Sequence, residues 1–245
     1  YDRGAVRGAL IVAPKGVYRN WNDIEIPVHM PDHVEHTKVM WEANITKKKQ
    51  LELDTLFDGG TDLKILIMNV EAFSTKKGLD FAHSFLNIFM GKALIGIDES
   101  TTIKNPTAKR TKNILKIGNL ASYRRILTGS PVTKSPLDLF SQCLFLDPYH
   151  LGYDSYYAYR SRYALMLDRN FGGRKVQIVD SYRRLGELAE KLDSFSYRVL
   201  KEDCLDLPPK VFTKRVVELT DEQDKIYAQM KQMALALLND KVMST

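Results

Sequence analysis

Two carboxylates stand side by side at Asp98-Glu99, immediately after the apolar run Ala93–Ile97. A short apolar run that ends in polar residues reads as a buried parallel strand, and open α/β sheets bind ligands at the carboxyl ends of such strands. One carboxylate there can hold Mg2+, directly or through water, while its neighbour polarises an attacking water, as nucleoside triphosphate hydrolysis requires. Taken alone, the pair reads first as a cap for the next helix. A second segment, Arg124-Arg125-Ile126-Leu127-Thr128-Gly129-Ser130-Pro131, follows one crossover later. It again sets hydroxyls and a glycine at a strand's carboxyl tip. Thr128 and Ser130 can hydrogen-bond the acidic pair or a water beside the phosphates, and Gly129 permits a tight turn. An ordinary strand-to-helix turn closed by Pro131 is the alternative for this segment by itself.

The elements that must position these groups are legible as four apolar runs: residues 9–13 before Pro14, 65–68 before Asn69, 93–97 before Asp98, and 125–127 before Thr128. The stretches between them are long enough for crossover helices, which predicts an α/β fold with a parallel sheet covered on both faces. Ile114, Ile117 and Leu120 recur at helical spacing after Asn105-Pro106, and Ser135-Pro136 precedes Leu137, Leu139 and Phe140. In both places a capping side chain is followed by a proline suited to a helix's first turn. Leu79, Phe81, Phe85 and Leu86 give residues 78–90 an apolar stripe for packing on the sheet.

Beyond Asp147-Pro148 the composition turns rich in tyrosine and arginine. The spacing predicts a helix over 155–167, a loop at Gly172-Gly173 with a short strand at 176–179, and a further helix over 183–192. Tyr156, Tyr159 and Tyr163 share a helical face, a pattern of packing before base stacking. Pro208-Pro209 leads into an alternating segment, 210–219, read as an extended strand. Thr220-Asp221-Glu222-Gln223 is a capping box, after which Ile226, Met230, Met233 and Leu237 form one face of a last helix.

With 245 residues, of which 44% are hydrophobic and 27% charged, the chain can bury a sizeable core. Its apolar runs fall short of the roughly 20 residues that cross a bilayer, and it opens on no secretion signal, so no membrane partner is expected. Cys143 and Cys204 lack C-x-x-C spacing, which argues against a disulfide framework or a thiolate zinc site and for a reducing compartment. A net charge of +6 favours a polyanionic partner. The chain begins without methionine, enters an apolar strand at once and stops after an amphipathic helix, as expected of a piece of a longer protein.

Six segments in order resemble the Swi/Snf-type DNA-dependent ATPases of helicase superfamily two. They are A-P-K-G-V-Y-R-N-W (13–21), L-I-M-N-V-E (66–71), I-D-E-S-T-T-I-K-N-P (97–106), R-I-L-T-G-S-P (125–131), L-F-L-D-P (144–148), and K-E-D-C-L-D-L-P-P-K (201–210) with V-E-L-T-D-E-Q-D-K-I-Y (217–227). The resemblance implies a three-layer RecA-like domain with a parallel central sheet, incomplete at its N-terminus, over 1–150. It implies a helical protrusion at 151–205, and a strand and helix at 206–245 leading to a second RecA-like lobe. By the same resemblance ATP and Mg2+ are the cofactors and double-stranded DNA the track.

Asp98 would then bind Mg2+ and Glu99 activate water. Thr128, Gly129 and Ser130 would couple nucleotide to DNA grip. Pro14, Lys15, Asn20 and Trp21, then Asn69, Val70 and Glu71, and Lys104 with Asn105 would contact DNA. Arg160 and Arg162 would be candidates for DNA or interdomain contact. Two departures stand out. Ser100 and Thr101 replace the end of a D-E-A-H box, so coupling normally made through its histidine must differ or pass through hydroxyls. No segment fits the phosphate-binding G-x-x-x-x-G-K-[ST] loop, which the family would place upstream of Tyr1. The expectation is therefore the first motor lobe of an ATP-dependent DNA translocase or helicase, inactive as this piece alone. The alternative is a non-catalytic nucleic-acid-binding or scaffolding module with vestigial motifs. The compartment implied is the cytoplasm of a bacterium or phage-infected cell, or the nucleus of a eukaryote.

Overall fold

A computed structural model of the chain describes residues 4–242, apart from 173, 205, 207, 209 and 210. Its contacts gather into two compact units, Tyr1–Tyr197 and Arg198–Thr245. The division expected at 150 falls inside the first. No helix among the described residues is long and apolar enough to cross a membrane.

The apolar runs become β1 (Gly8–Ala13), β3 (Leu63–Asn69), β4 (Ala93–Ile97) and β5 (Tyr123–Ile126), with β2 (His36–Met40) beside them. The sheet order is β2-β3-β1-β4-β5 and every neighbouring pair is parallel, so all five carboxyl ends share one edge. Alternation along the central strands sorts their side chains to two faces. Leu10, Val12, Leu66, Met68, Ile95 and Ile97 lie in one buried cluster with residues of helices Lys47–Asp54, Lys76–Ile88 and Lys109–Gly118. Ala9, Ala13, Ile65 and Ile67 meet Tyr18 and Ile26 on the other face. The α/β architecture with a parallel central sheet is thus as expected. β2 escapes the sequence reading because His36, Thr37 and Lys38 are polar and only Val39 is buried, a composition that an edge strand tolerates.

Helix Lys76–Ile88 shows how sequence becomes packing. The Thr75 hydroxyl accepts from the Gly78 amide at 3.1 Å and starts the helix, while Ala82, Phe85 and Leu86 are wholly buried. Burying the phenylalanine and leucine contributes about 1.5–3 kcal/mol each. Gly78 is required by contact: a Cβ there would meet the Ala72 carbonyl oxygen at 2.5 Å. The first turn expected at Asn105-Pro106 forms no helix cap; that helix begins only at Lys109.

The appendage corrects the expectation of a helix running over 155–167 and extends the strand expected at 176–179. Its helix spans Tyr156–Tyr163, and the chain then enters β6 (Ala164–Phe171), which pairs antiparallel with β7 (Arg174–Tyr182). Leu167 faces Ile178, Met166 faces Val179, and Gly172 takes φ +57° at the turn. Two runs with β-branched partners around a glycine turn favour a hairpin over a longer helix. Tyr159 and Tyr163 are fully buried with Phe140 and Cys143, so they pack rather than offer a stacking platform. Helix Leu139–Leu146 joins the two cores, sending Phe145 into the sheet's cluster and Phe140 and Cys143 into the appendage's. Burial pushes the Cys143 thiol up to about 12, which leaves it unreactive.

In the second unit the capping box forms as expected. The Thr220 amide donates to Gln223 Oε1 at 3.1 Å and the Gln223 amide to Thr220 Oγ1 at 3.3 Å, opening helix Asp221–Val242. The strand expected over 210–219 does not form: residues 211–220 are exposed and outside any described strand. Alternation without a neighbour to pair with does not make a strand.

Candidate active site

The carboxyl edge of the sheet brings the acidic pair and the hydroxyl-bearing turn together. β4 and β5 pair up to Ile97 and Ile126, and the ladder continues past both strands. The Asp98 amide donates to the Val12 carbonyl at 2.7 Å, the Leu127 amide to Ile97 at 2.8 Å, and the Ser100 amide to Leu127 at 3.1 Å. Main-chain bonds therefore hold Asp98-Glu99 directly beside the start of Thr128-Gly129-Ser130.

Asp98 is gripped on both oxygens. Oδ1 accepts from the Glu99 amide at 2.9 Å, and Oδ2 accepts from the Trp21 indole Nε1 at 2.8 Å. Trp21 lies on the helical run that follows β1, in a π-helical turn, Trp21–Glu25, flanked by Tyr18–Asn20 and Ile26–His29. Turns of this kind are frequent at functional sites. Glu99 has an exposed side chain and a left-handed backbone, φ +48° and ψ +59°. For a non-glycine residue that conformation costs about 1–3 kcal/mol and is retained chiefly where function needs it. A cavity of about 320 Å3 with an apolar lining lies against the sheet face below Asp98, between Trp21 and Ile26 on one side and Ala9, Ile65, Leu94 and Leu127 on the other.

Ser100 is wholly buried, and its hydroxyl donates to Gln142 Oε1 at 2.7 Å. Gln142 is missed by the sequence reading, which takes helix Leu139–Leu146 as apolar packing; its one amide among apolar neighbours was the available signal. In the turn itself, the Ser130 amide donates to Thr128 Oγ1 at 3.2 Å and Ser130 Oγ to the Val132 carbonyl at 3.1 Å. Gly129 is exposed, has no positive φ, and a Cβ on it would meet nothing within 4 Å. The tight turn expected of this glycine is not what the fold needs here.

The other expected site residues divide into outward-facing and structural groups. Pro14 offers its carbonyl to the Val17 and Tyr18 amides and so starts the helical run, Lys15 is exposed, and Asn20 donates to Glu25 Oε1 at 2.7 Å. Asn69 caps the next turn by accepting from the Ala72 amide at 2.9 Å. Val70 is 1% exposed and belongs to the core, whereas Glu71 is exposed. Lys104 donates to the Thr133 hydroxyl and lies 3.9 Å from Asp138. Partial burial alone would raise the Asp138 carboxyl, but the Lys134 and Thr133 amides and the Thr133 hydroxyl outweigh it and hold the group below the usual carboxylate range. Lys104 is thereby a strap on the 133–138 loop. Asn105 closes a local turn with Thr107, accepting from its amide at 2.9 Å. Arg162 is paired with Glu187, and Arg160 donates to Gln177 at 3.3 Å, so both serve the appendage first.

Among the described residues no three His, Cys, Asp or Glu side chains gather as a metal cage. A single carboxylate at the edge of an open crevice suits a cation that keeps water and substrate phosphates as its other ligands, which is the habit of Mg2+.

A family profile described as the SNF2-related domain matches residues 2–245. The TATA-binding protein-associated factor MOT1 of Saccharomyces cerevisiae is 34% identical over 132 residues, covering 54% of this chain and 7% of that protein. YwqA of Bacillus subtilis, whose name describes an ATP-dependent helicase/translocase, is 26% identical over 224 residues, 90% of this chain and 21% of that protein. The DNA annealing helicase and endonuclease ZRANB3 of Mus musculus is 35% identical over 116 residues, 47% of this chain and 11% of that protein. The chain thus spans about a fifth or less of the length of these relatives. Among solved structures, the Sulfolobus solfataricus SWI2/SNF2 ATPase core in complex with double-stranded DNA aligns with a TM-score of 0.47 and 23% identity, covering 66% of this chain and 29% of that one.

Proposed function

The chain belongs to the SNF2-related family, and from that premise we propose that it is the first motor lobe of an ATP-dependent translocase that moves along double-stranded DNA or remodels what sits on it. Family membership supports the ATP hydrolase class. The observation that carries the finer reading is the pair of links at the sheet edge: Trp21 Nε1 to Asp98 Oδ2, and the Ser100 amide to the Leu127 carbonyl. They tie the segment after β1, the acidic pair and the 128–130 turn into one unit.

In this reading Asp98 holds Mg2+, which when bound with ATP neutralises charge developing on the phosphates. Glu99, exposed on its left-handed turn, orients the attacking water. The Thr128–Ser130 turn, held beside the acidic pair by the Ser100 amide on the Leu127 carbonyl, relays the state of the nucleotide. Lys15 and Glu71, both exposed, and the partly exposed Asn69 are left for DNA, while Trp21 joins that segment to Asp98. The phosphate-binding loop and the second lobe would complete the site. Relatives named as a helicase/translocase and as a DNA annealing helicase support DNA as the track.

The test is a triplex-displacement assay with the full-length protein. A translocase strips a third strand from duplex DNA in an ATP-dependent way without separating the duplex. Absence of displacement alongside duplex unwinding would replace translocase with strand-separating helicase, and absence of both would refute the motor reading.

A further inference from the structure

Helix Leu139–Leu146 is apolar except for Ser141 and Gln142, and both are wholly buried. Burying a primary amide costs free energy unless its donors and acceptor are matched, and here they are. Gln142 Nε2 donates to the Pro131 carbonyl at 2.9 Å and to the Asp138 carbonyl at 2.7 Å, and Oε1 accepts from the Ser100 hydroxyl at 2.7 Å. The network fixes its own orientation. Carbonyls only accept, so the NH2 must face Pro131 and Asp138; Oε1 must then face Ser100, whose hydroxyl has to be the donor.

Both ends of the Thr128-Gly129-Ser130 turn are therefore tied to one residue of the acidic box. Leu127, before the turn, accepts from the Ser100 amide; Pro131, after it, is held through Gln142 to the Ser100 hydroxyl. The second strand of this tether is built from side chains at low dielectric, where matched hydrogen bonds are strong and rigid. We propose that Gln142 is a positioning residue that locks the acidic box to the Thr128–Pro131 turn, so that a shift of Asp98-Glu99 is transmitted to the turn and the turn's position is transmitted back. The inference rests on the translocase reading for what the coupling serves, and on geometry alone for the tether. Ser100 supplies the hydroxyl that this box has in place of the third residue of D-E-A-H, and Gln142 is its receiving partner.

Two variants of the full-length protein test this. Gln142→Glu keeps the side chain's volume and loses the two N–H donors. Ser100→Ala with Gln142→Leu removes the polar pair together, which limits the folding cost because no hydroxyl is left facing an apolar partner. Two readouts are taken. Amide hydrogen exchange without nucleotide is expected to quicken about tenfold across 128–138 and to stay unchanged across 8–13, as loss of a local tether predicts. The ratio of kcat with duplex DNA to kcat without it is expected to fall about tenfold, within the range for residues that couple sites, while the KM for ATP moves less than about twofold.

Unchanged exchange in both variants overturns the tether. Faster exchange with the parent stimulation ratio overturns the positioning role and leaves a packing role. Failure of the translocase reading is told apart from both: a parent protein without DNA-stimulated hydrolysis refutes that reading, and the exchange result still decides the tether.

Discussion

Replacing Trp21 by phenylalanine probes the link between the segment after β1 and the acidic pair. The indole Nε1 lies 2.8 Å from Asp98 Oδ2, and both residues are partly exposed. Hydrogen bonds to charged groups contribute about 1.5–3 kcal/mol when well buried. Water can replace the donor at a half-buried carboxylate, which reduces the expected coupling to about 1 kcal/mol. Phenylalanine also buries roughly 40 Å2 less apolar surface, a further loss of about 1 kcal/mol at 25 cal/mol per Å2. The single variant is thus destabilised by about 2 kcal/mol, of which only the hydrogen bond depends on Asp98. A double-mutant cycle of Trp21→Phe with Asp98→Ala, followed by urea denaturation, separates the two parts. The cycle should return about 1 kcal/mol of interaction, and a value below about 0.3 kcal/mol, the scatter of independent sites, would refute the link.

Four further outcomes follow. The Lys64 side chain is 3% exposed beside β1, paired with Asp58 and with Asp62 at 3.0 Å; Lys64→Met leaves those carboxylates without their cation, but water reaches both, so the fold should lose about 1 kcal/mol in chemical denaturation. The same cluster sets a pH dependence. Burial opposes both charges, but hydrogen bonds from Thr37 and Lys64 lower Asp62, and those to Asp58 and Asp62 raise Lys64. Asp62 therefore stabilises fully above the ordinary carboxylate pKa and loses its contribution as pH falls through its lowered value. Lys64 stabilises fully below the ordinary lysine pKa and loses its contribution as pH rises through its raised value. Melting temperature against pH should fall off at both ends, with the acid limb shallower in Lys64→Met. Gly78→Ala should cost about 1–3 kcal/mol by forcing the helix off the Ala72 carbonyl, read by thermal melting. The 245-residue chain alone should show no steady-state ATP turnover above background, because none of its segments carries the phosphate-binding loop; DNA-stimulated turnover by it would contradict this.

Legibility in the sequence followed apolar composition, which burial imposes on the central strands. β1, β3 and β4 lie at the centre of the sheet, and their apolar runs announce them. β2, an edge strand with Thr37 and Lys38 on show, does not. Of the hairpin, 176–179 in β7 reads as a strand, while β6 is hidden in a stretch that also suits a helix, and its signal lies in paired runs around Gly172. At the site, Asp98, Glu99 and the 128–130 turn were readable from strand ends. What joins them was not: Gln142 sits 42 residues from Ser100 in the chain, and Trp21 lies 77 residues from Asp98. Contacts of that range depend on the sheet order, which periodicity does not encode. Val70 shows the reverse case: its place in a resembling motif gave no sign that its side chain packs in the core.

The account stands most directly on Glu99 acting at a nucleotide held beside Asp98. Steady-state ATP hydrolysis by the full-length protein, measured with saturating duplex DNA in the parent and in Glu99→Gln, puts this to the test. The parent should hydrolyse ATP in a DNA-stimulated manner, and the variant should lose about 1,000-fold or more in kcat, as expected when the group orienting the water is removed, while still binding ATP and DNA. Turnover in Glu99→Gln equal to that of the parent would contradict it.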